Sequence, residues 1–271
     1  MIRTIHHFAA TGGTLMSKCI AAQQNVVLLS EVHPDVFTGV KYDPTAMVQQ
    51  FHAHTNLLSV DHCKLMFQVQ LEVMADLCKR NDLDLVLRDH THVDFFFRDY
   101  VGTPVKDYSA EKHQVKSLVT VRHPVESFLS AKKQGWTKCI QDSFDEYCKR
   151  YIQFLNCYNG CSLYYYEEFC LYPQQVMQMI CAELELRYNP DFMDTFANIV
   201  LTGDSGRRNS TISLPPAKEV PPELTEEIHL STNWNELTTL LNYRYSKAEG
   251  ATMGSVNDDV DEVQSEGQVA I

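Results

Sequence analysis

The chain has 271 residues, of which 44% are hydrophobic, 21% charged and 10% aromatic. That is globular composition with enough apolar material for a sizeable core, and it excludes collagen-like repeats, a coiled coil and disorder throughout. Six of the 35 acidic residues and none of the 23 basic ones lie after Lys247, so the formal charge of −12 divides into −6 for the tail and −6 for the remainder; neither part offers the basic surface that nucleic-acid backbones reward.

In chain order, Ile2–Phe8 is a β-branched and aromatic run, followed by the turn Ala9-Ala10-Thr11-Gly12-Gly13-Thr14. Leu15, Met16, Cys19 and Ile20 recur with helical spacing from Thr14 to Ala22. Val26–Leu29 is a continuous apolar run, as in a strand buried on both faces. A helix is expected over Asp61–Lys79, with Leu65, Val69, Val73 and Leu77 on one stripe, and a strand over Leu83–Leu87. Ser117–Val121 repeats the strand pattern before a helix that starts near Pro124. Ser143–Cys157 reads as helix, Ser162–Tyr166 as strand, Pro173–Leu186 and Glu223–Tyr245 as helices. The alternation predicts an α/β fold: a mostly parallel central sheet of about five strands flanked by helices, with ligands beyond the carboxyl ends of the strands.

Residues 1–247 are expected to form a single domain. Residues 248–271, rich in Gly, Ser, Val, Gln and acids without a period, read as a disordered acidic tail. No run approaches the roughly 18 apolar residues of a membrane span, and Met1–His7 lacks a signal peptide's apolar stretch. The nine cysteines are odd in number and contain no Cys-x-x-Cys pair, as expected of free thiols in a reducing cytosol. A cytoplasmic protein without membrane or nucleic-acid partners is expected; its oligomeric state is not encoded legibly.

Two segments carry candidate chemistry. Thr11-Gly12-Gly13-Thr14 lies between a strand and a helix, where glycines and a helix start can cradle an anion; a plain tight turn is the alternative. It is not a Walker A loop, since no G-x-x-x-x-G-K-[ST] string occurs. In the second segment Arg122 ends a strand and Ser130 follows two helical turns later, so a guanidinium fork and a hydroxyl could share one anion. An arginine capped by a neighbouring carboxylate is the simpler alternative.

Arg122-His123-Pro124 through Ser130 resembles the 3′-phosphate motif of sulfotransferases, an arginine followed by a serine eight residues later. The glycine loop is then similar to their 5′-phosphosulfate loop. Three more segments fit in order: Asn25–Pro34, with a glutamate at a strand end; Tyr164–Phe169, similar to the Arg-Tyr-Glu-Asp-Leu strand end; and Gly203–Arg207, similar to the glycine and basic loop that closes over the nucleotide. The layout, closest to bacterial and tyrosylprotein sulfotransferases, covers about residues 1–212.

The resemblance implies a P-loop-like fold and sulfuryl transfer from 3′-phosphoadenosine 5′-phosphosulfate (PAPS) to a hydroxyl or amine of a small-molecule, carbohydrate or peptide acceptor, without a metal. It implies nucleotide contacts at Thr11, Gly12, Gly13, Thr14, Arg122, Ser130, Gly206, Arg207 and Arg208. For the base it offers Glu31 first, with a pKa raised by burial, and His90 second. His90 and His92 lack a third metal ligand in an obvious pattern, and no metal is expected. Glu167 and Glu168 read as structural, and the acceptor pocket could be bordered by His52, His54 and Phe95–Phe97.

One departure stands out. Ala10 occupies the place of the loop's usual Arg or Lys; Lys18 is expected to point away, leaving Arg88, Lys132 or Arg208 as substitutes. Two other functions therefore stay open: a nucleotide-binding relative without catalysis, and a P-loop kinase-like phosphotransferase, which would need a Walker lysine.

Overall fold

The apolar runs form one parallel sheet. Its strands are β1 (Ile2–His7), β2 (Val26–Val32), β3 (Asp84–Asp89), β4 (Val115–Val121) and β5 (Ser162–Tyr165), in the order β2-β3-β1-β4-β5. Every pairing is parallel, so the chain returns through helices between strands, and both faces of the sheet are covered. The computed structural model describes residues 1–34, 54–55, 57–97, 102–203 and 210–242. His52, Gly206, Arg207, Arg208 and the expected tail at 248–271 lie outside the described residues.

The helices are α1 (Gly13–Ala21), α2 (Val60–Arg80), α3 (Pro104–Ala110), α4 (Pro124–Lys133), α5 (Phe144–Cys157), α6 (Tyr166–Leu171), α7 (Pro173–Leu184), α8 (Phe192–Thr195), α9 (Pro222–Leu230) and α10 (Thr232–Leu240). Proline opens α3, α4, α7 and α9 at the first turn, where its missing N–H would be unpaired anyway. One core packs α4, α5, α9 and α10 on the β1/β4 side through Phe8, Phe128, Phe144, Tyr147, Tyr151 and Phe154. The opposite face buries Met16, Ile20, Phe169, Met177 and Ile180 of α1, α6 and α7. A smaller cluster seats α2 on β2 and β3 through Phe67, Leu71 and Leu85. None of the described helices is long and apolar enough to cross a membrane.

Two expectations change. The segment Glu223–Tyr245 is not one helix: Ser231 breaks it, its hydroxyl accepting from the Trp234 N–H at 3.0 Å while donating to Asp145 of α5 at 2.5 Å. That N-cap starts α10 afresh. On α2, the stripe Leu65, Val69, Val73 and Leu77 faces solvent, each residue more than half exposed, while Phe67, Leu71 and Cys78 face the core. The nine cysteines are all free thiols, and only Cys139 is exposed.

Candidate functional site

The carboxyl ends of β1, β2 and β3 open into one cavity of about 360 Å³, walled by His7, Ala10, Thr11–Thr14, Lys18, Glu31, Arg88, His90, His92, Ser130, Trp136, Tyr166 and Gly203 among others. The sequence singled out most of these from separate segments; the sheet brings them together.

The glycine loop is tightly packed. Gly12 has φ +85, and a Cβ there would run into the Tyr166 ring; a Cβ on Gly13 would meet the His7 ring. Both positions exclude side chains so that two aromatic rings can close on the backbone. Helix α1 starts at Gly13 without an acidic residue in its first turn, so its positive end faces the cavity uncompensated by a local carboxylate. Thr11 differs from the rest of the loop: its hydroxyl donates to the Phe8 and Thr120 carbonyls, at 2.8 and 3.3 Å, and is used in holding the turn.

Arg88, at the end of β3, organises the floor. It donates to Thr14 Oγ1 at 3.0 Å, to Ser30 Oγ at 2.9 Å and to His7 Nε2 at 3.0 Å. It also pairs with Glu31 Oε1 at 2.9 Å, both side chains 3% exposed. Glu31 is reached through a break in register between Leu29 and Val32, where its own φ is +57; such an irregularity re-aims a side chain at a strand end. Its other oxygen, Oε2, lies 2.8 Å from His90 Nε2 and 3.9 Å from His92 Nε2.

The electrostatics correct the expected raised pKa of Glu31. Burial, the largest single effect, raises it; the Arg88 guanidinium, the His90 hydrogen bond and the two imidazoles together outweigh burial and hold the carboxyl well below the usual range. Glu31 is an ion-paired carboxylate at neutral pH. The His7 imidazole is pushed well below its ordinary value by burial and then by Arg88, and His92 is brought down to about 3 by burial and then by His90. Both rings are neutral near pH 7.

Lys18 also departs from expectation. It lies four residues after Thr14, one turn on and therefore on the same helix face, and it lines the cavity at 8% exposure. With Arg88 it supplies cations near the loop where Ala10, at φ +62, supplies none. Lys132 instead lies 5.8 Å from the centre of the Phe128 ring and does not line the cavity.

At the end of β4, Arg122 is 2% exposed, behind the wall that Ser130 and Tyr166 form. Its guanidinium lies 4.6 Å from the Tyr166 ring centre, 3.4 Å from Ser130 Oγ and 3.3 Å from Glu126 Oε2. The arginine thus rests on a neighbouring carboxylate rather than pointing into the crevice, yet its Nε is buried without a hydrogen-bond partner. Lys218 joins the cluster, its Nζ donating to Glu126 Oε2 at 2.9 Å and to Ser130 Oγ at 2.8 Å. Glu167 takes the structural part expected of it, its carboxylate accepting from the His123 N–H at 2.9 Å and tying α6 to the β4 end. Phe95 and Phe96 belong to the core and not to an acceptor pocket, while Phe97 edges against His92 and His54 is exposed.

Sequence reasoning missed His7 and Tyr166 as site residues. Both stand at the carboxyl ends of strands, the one positional signal that marks them. Gly203 lines the cavity as expected of the late loop, against the Glu31 carboxylate.

No family model matches the sequence, and no curated protein matches it. Among solved structures, the sulfotransferase domain of the Synechococcus PCC 7002 olefin synthase superposes with a TM-score of 0.52 at 15% identity, covering 90% of this chain and 95% of that one. The mouse sulfotransferase SULT7A1, solved in complex with PAP, aligns with a TM-score of 0.49 at 12% identity, covering 90% of this chain and 89% of that one. The five-stranded parallel sheet and the likeness to the olefin synthase domain over nearly its whole length give one conclusion: the chain has the sulfotransferase fold.

Proposed function

We propose that the protein is a sulfotransferase that binds PAPS and passes its sulfuryl group to a hydroxyl or amine acceptor. One observation carries this reading: a glycine-cradled helix start and two cations, Arg88 and Lys18, meet in one cavity at the strand ends. A cradle that any Cβ would fill and an orphaned Arg122 Nε fit a ligand with phosphates at two places. PAPS, when bound, supplies the activated sulfuryl group.

In this reading the N–H groups of the first α1 turn and Thr14 hold the 5′ side of the nucleotide, and Arg88 with Lys18 offsets charge developing at the departing oxygen. Arg122 and Ser130 take the 3′-phosphate by exchanging Glu126 for it. His90 becomes the first choice of base, because the depressed pKa of Glu31 makes its carboxylate a poor proton acceptor. Glu31 orients the imidazole from 2.8 Å. Ala10 favours a second reading, nucleotide binding without turnover, since the side chain expected beside the sulfuryl group is missing.

Calorimetry with adenosine 3′,5′-bisphosphate, AMP and ATP with magnesium tests the binding part. The bisphosphate should bind best, and Arg122→Ala should weaken it by about tenfold or more, the equivalent of a lost charge-assisted hydrogen bond. Equal affinity in the variant, or preference for ATP, would overturn the assignment. Turnover of PAPS with a screened acceptor then separates an enzyme from a binder.

A further inference from the structure

His90 and His92 lie in the turn that follows β3, where the chain bends from the strand into a short helical segment, and the neighbouring strand brings Glu31 against them. The three facing atoms are Glu31 Oε2, His90 Nε2 and His92 Nε2. His90 Nε2 is 2.8 Å from the carboxylate oxygen and 2.7 Å from His92 Nε2, which is 3.9 Å from that oxygen.

Protons alone do not satisfy this arrangement. A neutral imidazole has one N–H, so Nε2 is either a donor or a lone pair. If His90 Nε2 donates to Glu31, it has nothing to offer the lone pair of His92 beside it. If His92 donates to His90, the His90 lone pair faces a carboxylate oxygen. Two N–H groups at this distance would collide. His90 Nδ1 is buried without a partner, so no hydrogen bond on that side fixes the tautomer. One proton could reach all three atoms only as a weaker three-centre bond; a metal ion takes a lone pair from each. Atoms at these separations share a common point about 2 Å from each, the length of a zinc bond to imidazole nitrogen or carboxylate oxygen.

We propose that Glu31, His90 and His92 form a binding site for a zinc-class divalent cation. Arg88 engages the other Glu31 oxygen at 2.9 Å and so acts as the outer partner that orients this ligand. Two imidazoles and a carboxylate select a borderline cation over magnesium or calcium, which prefer oxygen. With three protein ligands the ion keeps open positions, and all three residues line the cavity. A bound ion would therefore meet a substrate hydroxyl or water there. The site stands apart from the nucleotide contacts, which need no metal, but it shares His90 and Glu31 with the base assignment: an ion held on His90 Nε2 would replace the imidazole as the group that activates the acceptor hydroxyl.

The test uses metal-stripped full-length protein carrying Cys139→Ser, because that exposed thiol would compete for zinc. Calorimetry with Zn²⁺ should show one equivalent bound, and Co²⁺ should give the visible bands of a low-coordinate nitrogen-ligated ion. His92→Ala and, separately, Glu31→Gln should each weaken Zn²⁺ by at least about tenfold, whereas His229→Ala, at an exposed position of α9, should not. Thermal melts and metal-free bisphosphate titrations on the same samples report folding and nucleotide binding independently. Absence of stoichiometric Zn²⁺ and Co²⁺ binding to the parent would overturn the site. So would undiminished affinity in His92→Ala, which alters a side chain 17% exposed and outside the core clusters.

Discussion

The Glu31–Arg88 pair is a buried ion pair, and its strength can be measured by neutralising one side. Glu31→Gln preserves shape but leaves the guanidinium facing an amide instead of a carboxylate, with both side chains 3% exposed. Breaking a buried pair from one side typically costs about 3–5 kcal/mol. At roughly 2–4 °C per kcal/mol for a chain of this size, the melting temperature should fall by about 6–20 °C. The assay is a double-mutant cycle of Glu31→Gln, Arg88→Met and both together, melted in metal-free buffer. The double variant should lose less than the sum of the singles, with a coupling of about 0.5–3 kcal/mol.

The same pair fixes the pH dependence. The folded pKa of Glu31 lies below its unfolded value, so its contribution is fully present above about pH 4.3 and is lost as pH falls through the folded pKa. The gap between parent and Glu31→Gln should accordingly narrow on acidification from pH 4. A cycle with no coupling, or a gap that widens in acid, would refute the reasoning.

Two further outcomes follow from packing. Gly12→Ala places a Cβ in the Tyr166 ring at a φ of +85, and should cost more than about 1 kcal/mol in denaturant unfolding while weakening the bisphosphate; a neutral result would mean that the loop opens freely. Of the nine thiols, Cys139 alone is exposed, so native protein should show one fast-reacting thiol with Ellman's reagent, and Cys139→Ser should remove that phase.

The strands were legible because a run such as Val26–Leu29 has no polar alternation, which only a doubly covered sheet tolerates. Helix α2 was legible as a helix but not in orientation. Leu65, Val69, Val73 and Leu77 form one apolar row, Phe67, Leu71 and Cys78 another, and periodicity cannot say which row meets the core. The break at Ser231 was hidden because its cap is completed by Asp145, 86 residues away. The protonation of Glu31 was misread for a related reason: burial is visible in an apolar strand, but the Arg88 charge that overcomes it arrives from the neighbouring strand. The third ligand for His90 and His92 was invisible in the same way, since Glu31 stands on the preceding strand, with the long helix α2 between them in sequence, and adjoins them only through strand pairing.

Glu126 gives the β4 end a resident competitor. Its carboxylate already occupies Arg122, and its two oxygens also receive the backbone N–H and the ammonium of Lys218, at 2.8 and 2.9 Å. An anion arriving at Arg122 therefore does not fall onto a bare cation; it must evict an internal one. Such a seat discriminates by charge: a monoanion gains little over the carboxylate it displaces, whereas a dianionic phosphate outbids it. The exchange would also cost Lys218 its two bonds to the carboxylate, leaving its ammonium on Ser130 Oγ and the Glu126 carbonyl, at 2.8 and 2.6 Å. In that way an anion at Arg122 would be felt at a stretch of chain 92 residues after Glu126 without any helix having to move.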